Sequence, residues 1–165
     1  MESIAAWFAS TLGQYVSAKT VVFIVSLMPL LECRGGLIVA SLLDVDILEA
    51  IPICIIGNFL PIPFILLFIR KIFELLRKWK VTAGLVDRIE TRTMNKSDKL
   101  EKGEFLGLML FVGIPLPGTG GWTGSLLAAL LDIDFKKALA AIFIGILIAT
   151  VIMSVFSYGL LARLV

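Results

Sequence analysis

Leu42-Leu43-Asp44-Val45-Asp46 returns 88 residues later as Leu130-Leu131-Asp132-Ile133-Asp134, and each copy opens a long apolar run. The same offset pairs Phe23 with Phe111, Pro29 with Pro117, Gly36 with Gly124, Ala40 with Ala128, Ala50 with Ala138, Ile56-Gly57 with Ile144-Gly145 and Phe68 with Phe156. Leu and Ile matches arise by chance in any apolar chain. A gapless series of Pro, Gly and Asp does not, so the chain reads as a duplication of one unit.

The apolar runs, from Ile47 to Ile69 and from Phe135 to Leu161, exceed the roughly 20 residues that a helix needs to cross a bilayer core of about 30 Å. Of the 165 residues, 59% are hydrophobic and 17% charged, and the mean hydropathy is +1.01. A soluble domain is nearer half apolar and a quarter charged. Lipid is therefore the expected solvent. A closed barrel would need strands that alternate apolar and polar residues, and these runs are apolar on every face. The expected fold class is an all-α integral membrane protein.

Each repeat has the same order: an apolar piece, a break rich in Pro and Gly, a short apolar piece, the Asp-x-Asp turn, and a long apolar helix. In repeat 1 the short pieces are Thr20 to Met28 and Gly36 to Leu43. In repeat 2 they are Phe105 to Ile114 and Ser125 to Leu131. At 1.5 Å per residue none can span alone. Each break leaves backbone groups without helical partners, which is tolerated at membrane depth only inside protein or beside water. The expectation is two inverted repeats, each a re-entrant broken-helix hairpin followed by a transmembrane helix, the breaks facing each other across a sheltered midplane site.

Within a single membrane domain over 1–165, the boundaries are 1–19 for an N-terminal interfacial helix, 20–79 for repeat 1, 80–104 for a cytoplasmic linker and 105–165 for repeat 2. Met1-Glu2 lacks a basic signal-peptide start, while Ile4, Trp7, Phe8, Leu12 and Tyr15 recur at helical spacing. Ten of the fifteen Lys and Arg residues lie between Arg70 and Lys102, which puts the central connection in the cytoplasm of a plasma (inner) membrane. Leu48-Glu49 in repeat 1 corresponds to Lys136-Lys137 in repeat 2, acidic outside and basic inside. From Arg70 to Trp79, Ile72, Phe73, Leu76 and Trp79 share one side, as in a helix end lying on an anionic leaflet.

Candidate chemistry lies chiefly in the breaks. Glu32 and Arg34 at membrane depth cost at least a few kcal/mol unless paired or wetted. A substrate or proton site would use Arg34 to hold an anionic group and Glu32 to take up and release a proton, since removal from water favours the neutral acid; mutual neutralisation or capping of loose backbone would be the structural use. Gly35 and Gly36 complete the first site. The second break, Pro117, Gly118, Thr119, Gly120, Gly121, Trp122, Thr123 and Gly124, offers backbone N–H groups and two hydroxyls as a cradle for an anion. Helices starting after Gly36 and Gly124 would aim their positive ends into the cavity. Gly124 equally suits tight hairpin packing, and Trp122 either stacks on substrate or plugs the hairpin tip.

Asp44 with Asp46 and Asp132 with Asp134 resemble metal-binding pairs, but Asp before a long helix is a preferred N-cap, and Asp46 with Glu49 fits a capping box. No metal site and no cofactor are expected. Asn58, Pro61 and Pro63 mark a kink that either serves packing or turns its freed carbonyls and the Asn58 amide inward, which would add Asn58 to the substrate or proton site. Cys33 and Cys54 show no disulfide or zinc spacing and read as packing residues. With no histidine in the chain, imidazole metal sites and Ser/His/Asp or Cys/His catalysis are excluded. No GxxxxGK[ST] motif is present, so any transport draws on ion gradients or the substrate's own gradient.

At Pro29-Leu30-Leu31-Glu32-Cys33-Arg34-Gly35-Gly36 and Pro115 to Gly124, over nearly the whole chain, the sequence resembles the small multidrug export protein family of bacteria and archaea. That resemblance implies export of small molecules. The broken-helix plan is more distantly similar to the DedA superfamily, whose paired re-entrant hairpins and embedded Glu, Asp and Arg residues are linked to proton-dependent transport and to flipping of polyprenyl phosphate or phospholipid. DedA proteins carry an arginine motif in the second hairpin, whereas Gly118 to Thr123 hold no charge. The reading is a proton-linked secondary transporter or lipid flippase and not an enzyme, with membrane lipids and a small-molecule or lipid-phosphate substrate as partners, no nucleic acid, and a homodimer to help bury the breaks. An intramembrane lipid-headgroup enzyme with Glu32 as base, or a passive channel or scaffold, is the alternative.

Overall fold

The computed structural model describes residues 16–95 and 103–160. The interfacial helix expected over Ile4 to Val16 falls almost entirely outside them. The described residues are helical, with no strand among them. In chain order the helices are α1 (Ala18–Leu27), α2 (Glu32–Leu42), α3 (Ile47–Phe59), α4 (Ile62–Arg77), α5 (Lys80–Met94), α6 (Glu104–Gly113), α7 (Gly121–Leu130) and α8 (Phe135–Ser154). A π-helical segment, Val155–Leu160, continues α8.

Two stretches are long and apolar enough to cross a membrane: Ile47–Arg77, with 31 residues, and Phe135–Gly159, with 25. Only 22% and 39% of their apolar windows lie buried, whereas the core helix of a soluble protein is mostly covered. Leu48, Phe64, Val151 and Val155 stand exposed, as side chains solvated by lipid do. Between α3 and α4 the helix is interrupted at Leu60 and Pro61, where proline withholds an N–H. This is the kink that Asn58, Pro61 and Pro63 mark in the sequence.

Contacts divide the described chain into two compact units: the residues up to Leu60 together with those from Ile146 onward, and Pro61–Gly145. Neither is one repeat. Each combines the hairpin and first part of the long helix of one repeat with the later part of the other repeat's long helix.

In the first unit α1, α2 and α3 pack against one another, and α2 meets the π segment. Glycine sets the spacing. A Cβ on Gly57 would lie 2.9 Å from both the Phe23 carbonyl oxygen and the Ser26 Cβ, and one on Gly36 would lie 1.9 Å from Ser26 Oγ. Val22, Leu37, Ala40 and Ala50 fill the resulting core. In the second unit α7 packs on α4, α5 and α6. There a Cβ on Gly145 would lie 2.8 Å from the Met109 carbonyl oxygen and 2.7 Å from Val112 Cβ.

These glycine contacts set the register of the repeat. Gly57 and Gly145 are 88 apart, but their partners Phe23 and Met109, and Ser26 and Val112, are 86 apart. The first arms are thus offset by 86, and the second break is two residues longer. Pro29-Leu30 corresponds to Pro115-Leu116, not to Pro117, and Phe23 corresponds to Met109, not to Phe111.

The turns behave as caps. Asp46 accepts from the Leu48 N–H at 2.8 Å, and Asp134 from those of Lys136 and Lys137 at 3.1 Å. Asp44 and Asp132 take φ of 53° and 58°, a conformation that Asp tolerates better than most residues. The Asp46–Glu49 capping box does not form; Lys19 Nζ donates to Glu49 Oε1 at 2.7 Å instead. In the second unit the signs are reversed, Lys137 Nζ donating to Glu104 Oε2 at 2.6 Å.

Part of the expected linker is helix α5, with Val86 and Thr93 buried. On α4, Phe73 is buried and Ile72 exposed, and Trp79, beyond the end of α4, is exposed too.

Candidate functional site

Pro29 ends α1, because the residue before a proline is disfavoured in the α conformation, and Met28 turns extended at ψ 138°. The chain re-enters helix sooner than Gly35-Gly36 suggests. The Glu32 N–H donates to the Met28 carbonyl at 3.0 Å and the Gly35 N–H to Leu31 at 2.7 Å. Glu32, Arg34, Gly35 and Gly36 therefore belong to the first turns of α2 and not to the break. In lipid each unpaired backbone group is costly, and an early helix start leaves fewer of them. Gly35 leans on Leu31, and Gly36 on Ser26 and Cys54 Sγ, so both serve close packing.

Glu32 is buried, with 5% of its surface exposed, and its φ is 53°. A left-handed non-glycine residue costs about 1–2 kcal/mol. At the corresponding place in the second hairpin stands Gly120, φ 144°, where a missing Cβ removes that cost. The first hairpin thus holds a carboxylate where the second has the glycine that the backbone prefers.

Next to Glu32, the Cys33 thiol lies beside Asn58 and Thr150 and in the field of Glu32 and Arg34. Asn58 is buried, and its amide has no oxygen or nitrogen partner, only the Cys33 thiol beside it. Glu32, Arg34, Gly35, Gly36 and Asn58 are accordingly all parts of the first unit. Thr150, Ser154 and Ser157 were not anticipated. They follow one another at helical spacing along α8 and the π segment, all buried. A lone polar stripe in an otherwise apolar helix was the signal available.

In the second unit α6 ends before Pro115 in the same way, with Ile114 at ψ 119°. The break runs Pro115 to Gly120, with Gly118 and Gly120 at positive φ. The Thr119 hydroxyl lies 3.0 Å from the Ile114 carbonyl and 2.9 Å from that of Leu116, so it ties the break together. Gly121, Trp122, Thr123 and Gly124 lie within the first turn of α7, which starts earlier than Gly124 suggested. A Cβ on Gly124 would lie 2.6 Å from Val112 Cγ2, which decides its role in favour of packing. Arg70 grips the far end of α7: Nε donates to the Ala129 carbonyl at 2.6 Å, Nη2 to that of Leu130 at 3.2 Å, and Nη1 pairs with Asp132 at 2.5 Å. In the first unit Tyr158, 88 residues on from Arg70, donates its hydroxyl to the Val45 carbonyl at 2.7 Å.

Two long apolar helices, 31 and 25 residues long and mostly uncovered, give the class as an all-helical membrane protein. Residues 32–152 match the model of the family described as "Putative small multi-drug export protein", and the chain belongs to that family. No curated protein and no solved structure matches it.

Proposed function

We propose that this protein is a secondary transporter that exports small molecules, with Glu32 and Arg34 as its substrate and proton site. The observation that carries the reading is the strained, buried Glu32, held where the second hairpin has Gly120. A fold with no use for that carboxylate would be more stable with glycine there. Such an arrangement fits a group that must exchange protons or a charged ligand. Arg34, two residues on, gives the site a cation for an anionic group, and Glu32 loads and releases the proton that couples the cycle.

The two repeats are proposed to insert in opposite directions, as re-entrant hairpins from opposite faces. The corresponding turns support this, since Leu48-Glu49 of the first stands where the second has Lys136-Lys137. Positive charge marks the cytoplasmic side, which puts Lys136 inside and Leu48 outside. Leu48→Cys and Lys136→Cys, both at exposed positions, should react with an impermeant maleimide from opposite faces; labelling from one face refutes the inversion.

The transport reading is tested in proteoliposomes under an imposed pH gradient, with cationic drugs and anionic lipids as trial cargo. Saturable movement should be lost in Glu32→Gln and Arg34→Ala. Movement at the wild-type rate in both variants overturns the assignment of the site.

A further inference from the structure

Buried hydroxyls on helices usually donate to the carbonyl four residues back. Ser26 does so to Val22 at 2.7 Å, Ser125 to Gly121 at 2.5 Å and Thr93 to Ile89 at 2.8 Å. Thr150, Ser154 and Ser157 do not. The Ser154 and Ser157 hydroxyl oxygens are buried and make no hydrogen bond, and the buried polar atoms of Asn58 and Thr150 have only the weakly bonding Cys33 thiol beside them. A buried polar group left in this state calls for an occupant that supplies the missing partners, and water is the one that can both donate and accept.

These groups form a line within the first unit. Asn58 and Thr150 lie beside Cys33, next to Glu32. One turn further along α8 is Ser154. Then come Ser157, whose carbonyl accepts from the Ser41 hydroxyl at 3.0 Å, and Tyr158, bonded to the Val45 carbonyl. Tyr158 also lies in the field of Cys54 and Asp46. The winding changes from α to π along this stretch, a departure that often marks functional sites. The corresponding positions in α4 of the second unit, 88 residues earlier, are Ile62, Leu66 and Ile69. The fold therefore makes no demand for hydroxyls here.

We propose that Asn58, Thr150, Ser154 and Ser157 line a narrow, water-filled path that joins Glu32 to the Asp44-Val45-Asp46 turn and admits protons and small cations but not cargo. It rests on the reading of Glu32 as the proton site and supplies the access route which that reading needs. The titratable and charged groups along it are Glu32, Cys33, Arg34, Cys54, Tyr158, Asp44 and Asp46.

The test is silver-ion accessibility in proteoliposomes, in a Cys33→Ala, Cys54→Ala background. Thr150→Cys and Ser154→Cys, both nearly isosteric, are compared with Val151→Cys and Val155→Cys, which replace exposed residues of the same helix. Ag⁺ crosses water-filled paths but not lipid, and its reaction is read as lost maleimide labelling after denaturation. Positions 150 and 154 should react at least tenfold faster than 151 and 155, and only from the face on which Leu48→Cys is labelled. Equal rates, or reaction from the other face alone, overturn the path. No cargo enters this assay, so a dry path leaves the exporter reading standing, and failed export leaves the accessibility result intact.

Discussion

Replacing Glu32 by glycine and by alanine separates backbone strain from side-chain chemistry. Both substitutions remove the carboxylate and whatever it contacts, so their difference reports the backbone alone. At φ 53° a Cβ costs about 1–2 kcal/mol, while glycine loses about 0.5–1 kcal/mol of unfolded-chain entropy relative to alanine. Glycine should therefore be the more stable of the two by about 0.5–1 kcal/mol, the difference of these two costs. At Arg34, one of the residues of α2 without a positive φ, the order should reverse, with alanine ahead by about 0.5–1 kcal/mol. Chemical denaturation in micelles, followed by helical circular dichroism, measures all four variants. Alanine ahead of glycine at position 32 would show that the residue is not held in the left-handed conformation, and the strain argument for its function would fall with it. If the argument holds, Glu32→Gly is inactive in transport whatever its stability, the usual form of a stability–activity conflict.

Gly57→Ala forces a Cβ to 2.9 Å from a backbone oxygen and should cost about 1–3 kcal/mol. Gly84→Ala, with open space around it, should instead stabilise by about 0.5–1 kcal/mol; thermal shifts of the same sign in both would refute the packing account. Arg70→Ala removes two charged hydrogen bonds and an ion pair at the end of α7, a loss of about 1–2 kcal/mol for so exposed a group. Arg70→Lys should recover less than half, because an ammonium lacks the fork that reaches both carbonyls; full recovery in denaturant midpoints would make this a simple charge effect. Tyr158→Phe deletes the bond to Val45 and should speed amide exchange across Val155–Leu160, by about 0.5–1.5 kcal/mol in local opening; unchanged exchange would mean that the hydroxyl does not fasten the segment.

Much of the fold is legible in the sequence because its signals are chemical and local. Pro29 and Pro115 stop helices by removing a donor, and Asp46 and Asp134 start them by accepting free N–H groups. The apolar runs have only lipid to face. Where the sequence misleads, the deciding interaction is distant. Gly35 and Gly36 look like a loop, yet they are helical, and the reason for glycine is the contact with Leu31, Ser26 and Cys54. The offset of 86 in the first arms is hidden because apolar residues match at many registers, and only the partners of Gly57 and Gly145 discriminate. Glu49 has the spacing of a capping box, but Lys19, thirty residues earlier, binds it first.

The site is legible in part for a related reason. Glu32 is conspicuous as a charge in an apolar segment, whereas its φ is not written in any local motif. Thr150, Ser154 and Ser157 pass unnoticed because hydroxyls in membrane helices are ordinarily satisfied by their own backbone, and Ser26 and Ser125 show that this chain uses the ordinary solution elsewhere.

Duplication supplies an internal control that a single unit would lack. Features present in both units, such as the Asp caps, the glycine contacts and the ion pairs at the turns, are what the architecture requires. Features present in one unit cannot be required in that sense, since the other unit folds without them. Glu32 against Gly120, Thr150 against Ile62 and Ser154 against Leu66 all put the polar residue in the first unit. Exchanges also run the other way, with Ser125 of the second unit against Leu37 and Arg70 against Tyr158, but there the polar group is bonded to a backbone carbonyl. Ser154 lacks such a bond and lies in the unit that holds the buried carboxylate, in keeping with the site proposed there.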